Sequence, residues 1–274
     1  MNQPTIAFIG TGNMARAILE GLLSDGYPSA SIWATRRQVE LLSDLAEQGV
    51  NTSADNQTAV AAADVVVISV KPQMMRETLQ GLAPALQARQ PLIISVAAGI
   101  DAAALERWAG GDLAVIRSMP NTPSLLKRGA CGLYANDRVT DRQRATAEQI
   151  MNAVGITLWC ENESGIDQVI AISGSGPAYF FLMMEKMIEA GMALGMDACS
   201  ARKLTLQTAL GAAEMAKQTG IEPAELRRRV TSPGGTTEQA ILSFERDQLG
   251  ETVERAMTAC RDRAVEMTTQ LCKE

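Results

Sequence analysis

The stretch TIAFIGTGNMARAIL, residues 5–19, constrains the fold more than any other part of the chain. Ile6, Ala7, Phe8 and Ile9 form a short apolar run; Gly10, Gly12 and Ala15 then fall at the G-x-G-x-x-A spacing, and helix-forming residues follow. This order predicts a strand, a glycine turn and a helix start. Gly10 permits the tight turn, Gly12 omits the Cβ that would hold a pyrophosphate off the backbone, and Ala15 lets the helix lie close on the strand. The bare N–H groups of the first helical turn and the positive end of its dipole then face an anion. Gly10, Thr11, Gly12, Asn13 and Met14 are therefore candidate cofactor-binding residues. A purely structural glycine turn is the alternative.

The alternation of strand and helix continues downstream. Residues 31–35 (SIWAT) predict a second strand, at whose end a dinucleotide fold places the group that meets the adenosine ribose. Thr35, Arg36 and Arg37 stand there with no acid before Glu40, a charge that favours the 2′-phosphate of NADP; two arginines opening a solvated helix over 38–48 is the competing reading. Asp55 or Asn56 suits a helix cap. Residues 64–70 (DVVVISV) read as a strand buried on both faces of a parallel sheet, with Lys71 and Pro72 at its carboxyl end, where open α/β sheets bind ligands. Lys71 is either a catalytic cation or a surface charge near the cofactor. Strands over 92–96 and 113–117 exit into the small residues Ala97, Ala98 and Gly99 and into 118–123, which two prolines predict to be extended and rigid. Strands at 131–134 and 156–159 flank a helix over 141–152. The expected architecture is a Rossmann-type doubly wound α/β sheet over residues 1–160, followed by an all-helical domain over 161–274.

In the helical part, residues 173–177 (SGSGP) open an apolar helix running through Phe180, Leu182, Met183, Met187 and Leu194, and a second helix over 197–218 is rich in Ala, Leu and Met. Together they hold more apolar surface than so short a segment can bury, which predicts a homodimer; packing against the first domain alone is the alternative. A short basic helix over 223–230 leads to TSPGGTT, residues 231–237, and a helix over 238–244. Backbone N–H groups and hydroxyls converging on a dipole end make a small anion site suited to a carboxylate. Thr236 or Thr237 serving only as a helix cap is the competing reading. A last amphipathic helix is expected over 251–271.

Composition narrows the chemistry. With net charge −6 and no basic block, nucleic acid is not an expected partner. No apolar run approaches the ~18 residues that cross a bilayer, and no leader-like segment opens the chain, so a cytoplasmic protein is expected. The five cysteines are odd in number, widely spaced and without a C-x-x-C pair, and read as reduced packing residues. Histidine is absent, which excludes imidazole acid–base catalysis and histidine ligation; no metal site is expected.

Six motifs, IAFIGTGNMA at the start, VKP at 70–72, AAG at 97–99, MPNTP at 119–123, SGSGPAY at 173–179 and SPGGTT at 232–237, are similar to those of the pyrroline-5-carboxylate reductase family, over nearly the whole chain. The resemblance implies NAD(P)H-dependent reduction of Δ1-pyrroline-5-carboxylate to L-proline, with NADPH as cofactor and NADH as an alternative. It also implies a helical domain that dimerises, in some members into a ring of dimers. Carried over by position, it adds Asn56, Val70, Lys71, Pro72, Ala97 and Asn121 to the cofactor contacts, and gives the substrate Glu163, Ser232, Gly234, Gly235, Thr236 and Thr237. Some relatives carry asparagine where this chain has Arg229, so that position assigns no contact.

The chemistry suits a chain without histidine. A carbonyl reduced to an alkoxide calls for a placed acid, whereas a cyclic imine that arrives protonated accepts hydride once donor and acceptor are aligned and water is excluded. Thr237 is the candidate catalytic group, as a polariser at the ring nitrogen. Two rivals stay open. One is an NADP-dependent β-hydroxyacid dehydrogenase using a lysine such as Lys186; the other is a non-catalytic NADP(H)-sensing protein, which would keep the first glycine turn without needing SPGGTT.

Overall fold

A computed structural model describes residues 3–273. The strands are β1 (Ile6–Ile9), β2 (Ile32–Thr35), β3 (Asn51–Ser53), β4 (Val65–Ile68), β5 (Leu92–Ser95), β6 (Val115–Met119), β7 (Gly129–Ala135) and β8 (Gly155–Trp159). They form one sheet in the order β3-β2-β1-β4-β5-β6-β7-β8, reversing direction of growth after β3 as a doubly wound fold does. Between them lie α1 (Asn13–Ser24), α2 (Ser43–Glu47), α3 (Asn56–Ala62), α4 (Pro72–Arg89), α5 (Ala102–Trp108) and α6 (Asp141–Asn152). β1 and β4 are buried at every position, because helices cover both faces. Phe8, Ile18, Leu19, Ile94 and Ile150 make the core on one face, and Ile9, Val66, Met75, Leu79 and Trp108 that on the other.

Three local expectations change. The helix expected over 38–48 is a 3₁₀ turn, Val39–Leu42, followed by the short α2, since only Leu42 and Leu45 anchor it in the core. β6 starts two residues beyond the expected 113, because the Asn136 side chain accepts from Val115 N (3.1 Å) and donates to Leu113 O (2.9 Å), occupying the ladder positions there. Past Asn121 the loop is not extended: Thr122–Leu126 is 3₁₀, with Pro123 where a helix start needs no N–H. That connection is too short for a crossover, so β7 runs antiparallel to β6, and parallel order resumes between β7 and β8 across α6.

Packing divides the chain into two compact units: residues up to Ser175 together with those from Cys260 onward, and Gly176–Ala259. The last strand ends at Trp159, but α7 (Gly165–Val169) and the π-helical turn Ile170–Gly174 stay with the first unit. Ile166 and Ile170 are buried there with Ala264, against Met119 and Tyr134.

The second unit holds α8 (Gly176–Ala193), α9 (Ala198–Thr219), α10 (Pro223–Arg229) and α11 (Thr236–Arg246); α12 (Leu249–Leu271) supplies residues to both units. Pro177 sits in the first turn of α8, and the Asp197 side chain caps α9 at 3.0 Å from Ser200 N. Of α8 only Gly176 is buried; Phe180, Phe181 and Leu204 are 67%, 63% and 54% exposed. A surface of this kind on two adjacent helices is one that another protein chain covers.

Candidate functional site

The sheet register sets the carboxyl ends of the central strands side by side. Ile9 pairs with Thr35 and Ile68, and Ile68 with Ser95, so Gly10, Arg36, Ser69 and Val96 follow in one row. Gly10 has φ +83°, and a Cβ on it would lie 2.8 Å from Val70 Cγ1. Gly12 precedes α1 in extended conformation, and a Cβ on it would meet nothing within 4 Å. No side chain caps α1, so its first N–H groups open onto that empty space, with Asn13 exposed and Met14 half-buried beside it.

Around this turn the candidate cofactor residues divide by what their side chains already do. Thr35 is fully buried; its hydroxyl accepts from Gly10 N (3.3 Å) and donates to Phe8 O (3.2 Å), while its carbonyl accepts from Thr11 N (2.8 Å). Thr35 thus braces the glycine turn through its side chain. Arg36 and Arg37 are exposed and form no ion pair among the described residues, which leaves two cations at the end of β2. Asn56 opens α3, which Asp55 caps at 2.9 Å from Gln57 N, so the capping role falls to Asp55. Val70 is half-buried, Lys71 exposed, Pro72 at the first position of α4, and Ala97 half-buried after β5. Asn121 is spent on structure: it donates to Ser173 O (2.9 Å) and accepts from Ala130 N (3.0 Å). An open glycine cradle at a helix N-terminus with two unpaired guanidiniums one strand away fits a dinucleotide carrying a 2′-phosphate.

Glu163 lies in the first unit and is tied down by one oxygen. Its Oε1 accepts from Ala102 N (2.6 Å) and from Arg117 Nη1 (2.8 Å); Arg117, in the middle of β6, is 4% exposed. The sequence reading passed over Arg117, although a lone charge closing the buried run VIR is itself a signal that a partner waits in the fold. Asp167 on α7 is close enough to feel the same guanidinium: burial raises its carboxyl, Arg117 lowers it in part, and Glu163 raises it. Burial also raises the thiols, Cys131 to about 12, and Cys160 and Cys272 in the same direction, which keeps them protonated packing groups.

In the second unit Gly234 has φ +71°, and Gly235 N donates to Ser232 O (3.0 Å), an oxygen that a Cβ on Gly235 would approach to 2.9 Å. Gly235 occupies the cap position of α11, so neither Thr236 nor Thr237 is its cap. Both lie exposed in the first turn, and with Ser232 they present three hydroxyls that make no hydrogen bond among the described residues. Glu238, also missed from sequence, accepts from Gly234 N through Oε2 (2.8 Å), reaching back from the third helical position. Arg229 is engaged elsewhere: Glu225 takes Arg228 (2.7 Å) and Arg229 (2.8 Å), and those two guanidiniums pull its carboxyl down to about 2. Lys186 is exposed and paired with Glu185 (2.7 Å) and Glu189 (2.9 Å), which raise it further and hold it as an ammonium.

Comparison with known proteins gives one match in each half of the chain, with bounds that differ from the two compact units. The family profile described as pyrroline-5-carboxylate reductase dimerisation matches residues 163–267, and that of coenzyme F420-dependent NADP oxidoreductases matches residues 5–99. The pyrroline-5-carboxylate reductase of Pseudomonas aeruginosa is 53% identical over 272 residues, covering 99% of each chain. A solved pyrroline-5-carboxylate reductase from Coxiella burnetii superposes with TM-score 0.94 at 44% identity, over 97% of this chain and 99% of that one. The Plasmodium falciparum enzyme, solved with NADP bound, gives 0.85 at 28% identity, over 98% and 99%.

Proposed function

The chain belongs to the pyrroline-5-carboxylate reductase family, a family of oxidoreductases, and from that premise we propose that it reduces Δ1-pyrroline-5-carboxylate to L-proline with NADPH. The observation that carries this reading is 53% identity to the Pseudomonas aeruginosa enzyme across 99% of both chains. When bound, NADPH supplies the hydride. The N–H groups at the start of α1, with Gly10, Thr11 and Gly12 around them, hold its pyrophosphate, and Arg36 and Arg37 offset the 2′-phosphate. The uncapped N–H groups of the first turn of α11, with Ser232 of the loop before it, take the substrate carboxylate, and Thr237 hydrogen-bonds the ring nitrogen. Glu163 offers a carboxylate to a substrate that is cationic at that nitrogen. Because the iminium carbon already carries the electron demand, these residues need only align it and keep water away. Gly234 N and Gly235 N are already bonded to Glu238 Oε2 and Ser232 O, and no side chain caps α11, so the donors left for a carboxylate are those of its first turn. The same reading includes a cytoplasmic location and further association of dimers into a ring; apolar residues exposed beyond α8 and α9, such as Val230, Phe244 and Val253, support the latter.

The test follows the loss of reduced-nicotinamide absorbance with purified protein and racemic pyrroline-5-carboxylate, beside NADH, and beside a 3-hydroxyacid with NADP⁺. Turnover of the imine with NADPH preferred is the expected result. Better use of NADH would overturn the Arg36 and Arg37 assignment alone. Hydroxyacid oxidation without imine reduction would move the chemistry to a lysine, and binding of NADPH without any turnover would leave a sensor.

A further inference from the structure

Arg117 stands where an apolar residue would cost less. It lies in the middle of β6 between buried Ile116 and buried Ser118, its own side chain is 5% exposed, and removing a guanidinium from water carries a penalty that a single ion pair does not reliably offset. A pair kept for cohesion would use the planar fork on both carboxylate oxygens. Here only Nη1 engages, at 2.8 Å from Glu163 Oε1, while Nη2 is buried without a hydrogen bond. The same Oε1 accepts from Ala102 N at 2.6 Å, so two donors converge on one oxygen. Glu163 Oε2 accepts nothing among the described residues, and the side chain is 30% exposed. The carboxylate is gripped at one end and open at the other.

We infer that Arg117 is a positioning residue for substrate binding: by fixing Oε1 of Glu163 it presents Oε2 to the cationic ring nitrogen of the imino-acid substrate. The inference rests on the reading above that Glu163 meets the substrate. Asp167 supplies a control within the same cluster. Its Oδ1 is buried with no hydrogen bond and its carboxyl feels Arg117, yet the guanidinium bonds Glu163 instead. The partner that Arg117 holds is the one with an oxygen left to offer.

The experiment compares steady-state kinetics of Arg117→Met, Arg117→Lys, Glu163→Gln and the double variant Arg117→Met with Glu163→Gln, with NADPH affinity and melting temperature measured for each. Loss of one charge-assisted contact predicts that Glu163→Gln and Arg117→Met each raise KM for pyrroline-5-carboxylate about tenfold. The double variant is expected to be no worse than either single one, with NADPH affinity within about twofold of the unsubstituted protein, because the two side chains act as one unit. Arg117→Lys, which keeps the charge and loses the plane, is expected to restore part of the KM. If Glu163→Gln raises KM and neither Arg117 variant does, Arg117 is a structural cation only and the Glu163 reading survives. A normal KM in Glu163→Gln removes both. A double variant about a hundredfold worse, the product of the singles, makes Arg117 an independent contact and overturns the inference. Should Arg117→Met fail to fold, Arg117→Lys decides: an unaltered KM refutes the positioning role.

Discussion

Gly10 and Gly12 stand two positions apart and answer to opposite demands. Gly10 is required by the protein: its φ of +83° and the 2.8 Å approach to Val70 penalise any side chain. Gly12 is required by nothing in the chain itself, since a Cβ there meets only open space. Gly10→Ala is therefore expected to lower stability by about 1–3 kcal/mol in denaturant titration. Gly12→Ala should change stability by less than about 0.5 kcal/mol while weakening NADPH at least ~tenfold by fluorescence titration. Unchanged NADPH affinity in Gly12→Ala would detach the turn from the cofactor. Thr237→Ala is expected to lower kcat about tenfold with NADPH affinity within about twofold, since a polarising hydroxyl contributes less than a full proton donor; equal activity would remove Thr237 from the chemistry. At this scale glycines were legible in the sequence, because spacing alone states their backbone demand. Arg117 and Glu238 were not. Their importance lies in which oxygen or N–H they meet, and Glu163 is 46 residues from Arg117 in the chain.

Elements were legible where periodicity and length agree. α6 begins and ends as expected because Thr140 and Gln143 form a reciprocal capping box at its start. The antiparallel direction of β7 could not be read, since alternation of apolar residues carries no polarity; only the shortness of the 3₁₀ connection reveals it. Between α1 and the second strand, Tyr27 ties the end of one element to the start of another: its hydroxyl donates to the carbonyl of Pro4. Burial pushes this phenol up from 10.0 to about 12. The folded state therefore favours neutral Tyr27, a contribution fully present below the ordinary value of 10.0 and lost as pH rises through about 12. A phenolate absorbance titration should show a late step near pH 12 that Tyr27→Phe abolishes. Retention of that step in the variant would assign it elsewhere.

For the whole molecule, the exposed apolar residues of α8 and α9 make association part of stability. The melting temperature is expected to rise with protein concentration, and Phe180→Asp to shift the protein to monomer in sizing experiments and to abolish that dependence. A monomeric unsubstituted protein would overturn the expectation. The surplus of greasy helix was readable from composition, but the return of the chain to its first unit was not, because a long amphipathic helix such as α12 looks the same whichever core receives it. That return has a consequence for how the protein comes into being. Leu271 and Cys272 pack on the core made by β4, β5 and α4, the Asp101 backbone N–H reaches Cys272 Sγ at 3.4 Å, and Gly99 lies against Met267 and Leu271. On the ribosome the sheet is thus translated in full while one of its covers is still unwritten. Every nascent chain must carry an apolar scar beside the AAG exit until the last turns of α12 emerge, a window in which a chaperone has something to hold.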